Sequence, residues 1–343
     1  MKRTHWLPRV MMLGALVALA ALLTGTGFAA QSATIKMAVV TDIGSLQDKS
    51  FNQAANTGRL EAQKQLKIQT RVYQTGTAND RVPNLQQAAR DGYQLVFGTG
   101  FLMGDPLSKV APAFPKTWFV GIDVDWSTIA GKPKNVRGIQ FREQEAGYLA
   151  GYIAGLVVKY QKGPQVISAV GANNVPPIIR YMAGYKAGAK KANPKIKVLL
   201  NLANDPTFND QAKCAETAIN QLQRKSQVVF QVAGGCGLGA LREANKAKKW
   251  GIGVDVNQNY LNKRMLTSAM KRVDQSVLLT TKQFKANPSK FKGGYNAIFN
   301  VKNNGVGFAP INAKAPKRAL ILKKVKAIEK LIASGKIKPP TKY

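Results

Sequence analysis

The sequence predicts an α/β protein built of two doubly wound parallel-sheet lobes. From Thr34 onward, short β-branched runs alternate with longer helical patterns, as βαβ units do. Near residue 141 the series restarts, so two similar sheets follow one another with a cleft between them. A chain of 343 residues is also longer than one ordinary core accommodates.

In order, the first series reads as strands at 35–40, 68–73, 95–98, 118–122 and 136–139, with helices at 52–65, 82–91 and 106–114. The second begins with the long apolar helical spacing of 141–158. It continues with strands at 165–170, 197–202, 228–232 and 251–254, separated by helices at 177–192, 210–224 and 237–248. Residues 267–270, followed by a helix through 284, predict a crossover back to the first lobe. The Gly- and Asn-rich stretch 293–307 predicts a hairpin, and 323–334 a last helix stopped by Gly335 and closed off by Pro339-Pro340. The expected organisation is an N-terminal lobe of 34–140 plus about 268–310, and a C-terminal lobe of 141–267 plus about 311–343. More than one crossing between lobes makes a hinge, so closure on a ligand is expected.

Residues 1–29 read as an export signal. Lys2, Arg3 and Arg9 precede the apolar run 10–23, and Gly27-Phe28-Ala29 offers small residues for cleavage. The run is short of the roughly 20 residues that a membrane span needs; an uncleaved anchor is the alternative. No cysteine stands near the cleavage site, so the mature protein is expected free in the periplasm, without a lipid anchor.

Lys and Arg number 51 against 17 Asp and Glu, a formal net charge of +34. The positive residues are spread along the chain without a nucleic-acid-binding motif, so nucleic acid is not the expected partner. An acidic medium, such as the periplasm of an acid-living Gram-negative bacterium, would give surface carboxylates little charge to contribute. Steering of an anionic partner is the other explanation. The one histidine, His5, lies in the signal. That excludes Ser-His-Asp and Cys-His catalysis and histidine-based metal sites, and no cofactor or metal is expected.

Residues 37–52, MAVVTDIGSLQDKSFN, bring Asp42, Phe51 and Asn52 to the carboxyl end of a strand, where open α/β sheets bind ligands. A carboxylate, an aromatic face and an amide suit a small, flat, polar molecule. Phe51 and Phe208 are each flanked by polar residues at a strand-to-helix junction, which favours a cleft wall over a core position. Asp42 lies too far before its helix to cap it, whereas capping and ligand contact stay equally open for Asp255. Asp123 and Asp125 alternate along one strand, so only one faces the cleft, and Asp123 is chosen. Cys214, in the first turn of a helix, and Cys236, just after the next strand, fall at one sheet edge. In an oxidising compartment they are candidates for a disulfide worth about 3 kcal/mol, against the alternative of two inert thiols. The glycine clusters at 98–104 and 233–240 match no phosphate-loop pattern and read as tight turns where backbone approaches a ligand.

The segment VVTDIGSLQDKSFNQ (39–53) resembles the opening signature of the basic membrane protein family of ABC-transporter substrate-binding proteins, and is similar to its purine nucleoside receptors. GTGFLMGD (98–105), FVGIDVD (119–125), GIQFREQEAGYLAGYIAG (138–155), DPTFNDQAK (205–213), GIGVDVNQ (251–258) and MLTSAMKRVD (265–274) agree in order. The resemblance implies a type I periplasmic-binding-protein fold and capture of a nucleoside. Phe51 and Phe208 would sandwich the base; Asp42, Asn52 and Asp123 would read its polar edges. Gly234, Asp255 and Lys271 would hold the ribose. Asn56-Thr57-Gly58 departs from the Trp and Glu that relatives usually carry before the glycine, which would widen or re-polarise the pocket. The expected protein is a monomeric binding protein, not an enzyme, that delivers its ligand to an ABC permease and its ATPase. A sensor lobe of the same fold is the alternative. A nucleoside hydrolase is disfavoured because no DxDxxxDD-like aspartate cluster occurs.

Overall fold

The computed structural model describes residues 1–2 and 35–343; apart from its first two residues, the expected leader at 1–29 lies outside the described residues. Among the described residues twelve strands make two six-stranded sheets. The first half runs β1 (Lys36–Ile43), α1 (Phe51–Leu66), β2 (Gln69–Thr75), α2 (Arg81–Arg90), β3 (Leu95–Thr99), α3 (Gly104–Val110), β4 (Trp118–Ile122) and β5 (Val136–Phe141). The second runs α4 (Glu143–Tyr160), β6 (Val166–Gly171), α5 (Pro176–Ala192), β7 (Lys197–Leu202), α6 (Gln211–Gln223), β8 (Val228–Val232), α7 (Gly237–Lys246), β9 (Trp250–Asp255) and β10 (Met265–Lys271). Then follow α8 (Val273–Ala286), β11 (Asn296–Phe299), β12 (Val306–Phe308) and α9 (Arg318–Ala333).

The sheet orders are β2-β1-β3-β4-β5-β11 and β7-β6-β8-β9-β10-β12, the same order twice. Every pair is parallel except β10 with β12. This is the type I periplasmic-binding-protein architecture. Its central strands are apolar on both faces because helices cover both: all five residues of β3 and of β8 are buried.

The chain passes between sheets after β5, after β10 and between β11 and β12. Residues 293–307 are therefore no hairpin. β11 pairs with β5 and β12 with β10, one in each sheet, so the Gly- and Asn-rich turn is an interlobe crossing. β10 belongs wholly to the second sheet, so the chain returns to the first lobe at residue 272.

Helices α4 and α5 approach unusually closely. A methyl group on Gly151 would sit 2.0 Å from the Tyr185 carbonyl oxygen, and one on Gly188 2.0 Å from that of Tyr148. This contact sets the N-termini of both helices side by side under the cleft, and it fixes where Glu143 and Arg180 meet.

Candidate functional site

A cleft of about 740 Å³, a volume that includes space open to solvent, lies between the carboxyl ends of the two sheets. The first lobe contributes Asp42, Phe51, Asn52 and Asp123 to its lining; the second contributes Phe208, Gly234, Asp255 and Lys271. All eight residues singled out from the sequence thus meet at one cavity. Asn56, Thr57 and Gly58 do not line it, so their departure from the family pattern leaves its wall untouched. Gly58 instead packs against α8, where an added methyl would lie 2.4 Å from the Asp274 carbonyl oxygen.

One construction, used twice, presents the two rings. Asp48, buried before α1, accepts from the backbone amides of Ser50 (2.8 Å), Asn52 (2.8 Å) and Gln53 (3.1 Å). Asp205, before α6, accepts from those of Thr207 (2.9 Å), Asn209 (2.8 Å) and Asp210 (2.8 Å). The offsets are identical, and in each loop the residue three past the aspartate is the phenylalanine. The sequences Asp48-Lys49-Ser50-Phe51-Asn52 and Asp205-Pro206-Thr207-Phe208-Asn209 carry this repeat openly. On the second lobe the Cys214–Cys236 disulfide adds a further tie, with Cα atoms 5.5 Å apart, and the Cys236 amide donates to the Phe208 carbonyl (3.0 Å).

The two aspartates differ in charge balance. Burial pushes Asp48 up to about 6, against the amide donors; at Asp205 the donors outweigh burial and hold its carboxyl below the usual range. Ionised Asp48 therefore costs stability above its ordinary value of 3.8, rising to roughly 3 kcal/mol once the pH passes about 6. The melting temperature of wild type minus that of Asp48→Asn should fall as pH rises from 4 to 6 and level off above. A difference independent of pH would contradict this.

At the polar end, Lys271 is almost wholly buried, unlike a solvated surface lysine. Its Nζ donates to Asp123 Oδ2 (2.6 Å) and Glu143 Oε1 (3.0 Å), and it lies 4.8 Å from the Phe51 ring centroid. Arg180 Nε donates to Glu143 Oε2 (2.6 Å). Burial works against the charge on Lys271, but Asp123 and Glu143 outweigh it and raise its pKa. Glu143, gripped by two cations, is held low despite burial, while Asp123 is raised by burial and by its proximity to Glu143. Asp123 Oδ1 is buried without a partner among the described residues. Asp255 Oδ2 accepts from Ser50 Oγ (2.5 Å) and Oδ1 from the Tyr181 hydroxyl (3.3 Å); burial raises its pKa.

Both Asp123 and Asp255 sit in the left-handed region, at φ 65° and 62°. Asp123 follows β4 rather than belonging to it, so strand alternation is not what turns it inward. No helix follows Asp255 directly, which removes the capping alternative. Glu143, Arg180, Tyr181 and Asp48 were not picked out from the sequence. The first two are ordinary helix-start residues until the α4–α5 contact joins them.

At the other end, Asn52 Oδ1 accepts from the Asp42 amide (3.2 Å), which ties α1 to the end of β1. Asp42 Oδ1 accepts from Arg81 Nε (3.0 Å) and Nη2 (2.8 Å). Gly100, at φ 107°, lies so close that an added methyl would be 2.5 Å from Asp42 Oδ2. Phe101 and Leu102, 40% and 36% exposed, form an apolar lip. The lobes are linked across the cavity by Ser50 to Asp255, by Lys271 to Asp123, and by Gln258 Nε2 to the Lys49 carbonyl (2.9 Å). Among the described residues, no group of three His, Cys, Asp or Glu is placed to hold a metal ion.

Residues 35–339 match the Bmp family profile, described as ABC transporter substrate-binding protein, PnrA-like. The chain is 33% identical to the ABC transporter nucleoside-binding protein BmpA of Lactococcus lactis over 330 residues, covering 90% of each chain. It is 28% identical to basic membrane protein D of Borreliella burgdorferi over 306 residues, 87% of this chain and 85% of the relative. A solved ABC-transporter solute-binding protein of Aeropyrum pernix superposes with a TM-score of 0.78 at 24% identity, covering 90% of this chain and 93% of its own.

Proposed function

The chain belongs to the Bmp family of PnrA-like ABC-transporter substrate-binding proteins, and we propose that its cavity captures a nucleoside, preferentially a purine nucleoside, in the periplasm. The observation that supports this best is one phenylalanine from each lobe on the wall of a single cavity that has carboxylates and a buried ammonium at one end. A base stacked on an aromatic ring gains about 1–3 kcal/mol, and a purine offers two faces. Carboxylates that only accept suit sugar hydroxyls, and Asp123 Oδ1 stands ready for one. The resemblance assigns Asp123 to the base edge, but its bond to Lys271 favours the sugar end instead: Asp123, Asp255, Gly234 and Lys271 hold the ribose, while Asp42 and Asn52 meet the base. The interlobe bonds already in place are those a ligand would strengthen on closure, and the closed form is what a permease and its ATPase would receive. Binding without turnover is the proposed activity.

Charge narrows the ligand class. In a chain of net charge +34, the carboxylates at and behind the cavity (Asp42, Asp48, Asp123, Glu143 and Asp255) outnumber the cations Arg81, Arg180 and Lys271. A phosphate would meet this excess at close range, where like charges cost several kcal/mol. Calorimetric titration should show guanosine, inosine and adenosine binding, with their 5′-monophosphates at least about 100-fold weaker. Free base should not accumulate with inosine. Failure of every nucleoside to bind, or tighter binding of the monophosphates, would refute the reading.

A further inference from the structure

We infer that Arg81, which does not line the cavity, is a positioning residue that sets ligand selectivity: it fixes Asp42 as a one-sided acceptor that admits a ring edge bearing N–H donors. This rests on the nucleoside reading and deepens it. Arg81 stands at the start of α2, 8% exposed, and spends two donors on a single oxygen, Asp42 Oδ1. The Ile43 amide donates to that same oxygen at 2.8 Å. Oδ1 is thereby saturated. No donor among the described residues reaches Oδ2, and Asp42 lines the cavity beside Gly100. Glycine suits this position, since its φ of 107° strains other residues and an added methyl would press on that oxygen.

An ionised carboxylate offers lone pairs and no proton. The edge of guanine or hypoxanthine presents a ring N–H to it, and guanine adds an amino group. Adenine presents an amino group beside a bare ring nitrogen, whose lone pair faces the carboxylate. Burial raises the Asp42 pKa, and Arg81, with a smaller contribution from the Ile43 amide, opposes this. The neighbouring elements bring no second charge to it: α1 contributes the Asn52 amide and the turn after β3 the Gly100 backbone. Without the guanidinium the carboxyl takes up a proton at higher pH, becomes a donor as well as an acceptor, and loses its preference.

The test compares wild type, Arg81→Met, Arg81→Lys and Gly100→Ala by calorimetry with guanosine, inosine and adenosine at pH 5.5 and 8. Circular dichroism confirms folding. Wild type should prefer guanosine and inosine over adenosine by about tenfold or more. Arg81→Met should shrink that ratio to within about threefold at pH 5.5, with partial recovery at pH 8 and in Arg81→Lys. Gly100→Ala should weaken all three. Equal wild-type affinities, or an unchanged ratio in folded Arg81→Met, would overturn the inference. A ligand-free measurement separates it from the nucleoside reading: the Asp42 side-chain 13C resonance should titrate at higher pH in Arg81→Met than in wild type. Identical midpoints would overturn the role of Arg81 even if nucleosides bind, whereas no nucleoside binding with shifted midpoints would remove the nucleoside reading and the selectivity built on it.

Discussion

Replacing Lys271 with methionine should abolish ligand capture and lower unfolding stability by about 3–5 kcal/mol, the cost of stranding buried charge. Lys271 is 2% exposed and is the shared partner of Asp123 and Glu143, neither of which water can reach freely. Without it, Glu143 keeps its bond to Arg180, but Asp123 loses its only hydrogen-bonded cation among the described residues and faces Glu143 with only the indirect influence of Arg180. The repulsion should be relieved by protonation, so the deficit is smaller in acid than at neutral pH. Denaturant titration at pH 5 and 7 measures this. Asp123→Asn in the same chain should recover most of the stability and none of the binding, because the sugar-holding donor is still absent. A folded Lys271→Met protein with wild-type stability and affinity would show that the network is incidental.

Removing either ring costs affinity without costing the fold. Phe51→Ala and Phe208→Ala should each weaken nucleoside binding by about 1–3 kcal/mol, which is roughly 5- to 150-fold. Both rings are only partly buried in the free protein, so the loss of core packing is small. They would stack on opposite faces of one base and so share a partner, and the double variant should depart from additivity by about 0.5 kcal/mol or more. The backbone separates the two positions. Phe208 sits at φ 57°, a conformation that costs a side-chain-bearing residue about 1–2 kcal/mol, while Phe51 is the first residue of a helix. Phe208→Gly should therefore be more stable than Phe208→Ala and bind equally poorly. At position 51 the order of stability should reverse, since glycine disfavours a helix. Thermal melts and calorimetry of the four variants decide this.

The βαβ alternation and its restart were legible because each strand is an apolar run bounded by turn residues, and these patterns are local. What the sequence hid was long-range pairing. Residues 293–307 look like a hairpin by composition, yet their strands bond to β5 and β10, partners more than a hundred and about forty residues away. The cavity residues were readable where chemistry stood at a strand end, as at Asp42, Phe51 and Asp255. Lys271 could be raised above the other lysines only by its motif, because burial of one lysine among many leaves no mark in composition. Asp48 and Asp205 carried a signal that went unread: the same Asp-x-Ser/Thr-Phe-Asn spacing occurs in both halves. Glu143 and Arg180 carried none, since their pairing depends on two helices touching through glycines.

The central claim is that two rings, one from each lobe, enclose a planar base while Asp123, Asp255 and Lys271 hold its sugar. The crystal structure of the protein grown with guanosine tests this most directly. The account predicts a flat ligand between Phe51 and Phe208, with its hydroxyls on the carboxylates and the Lys271 ammonium and its ring N–H edge on Asp42 Oδ2. Guanosine bound elsewhere, or bound in the cavity with neither ring on its faces, would contradict it.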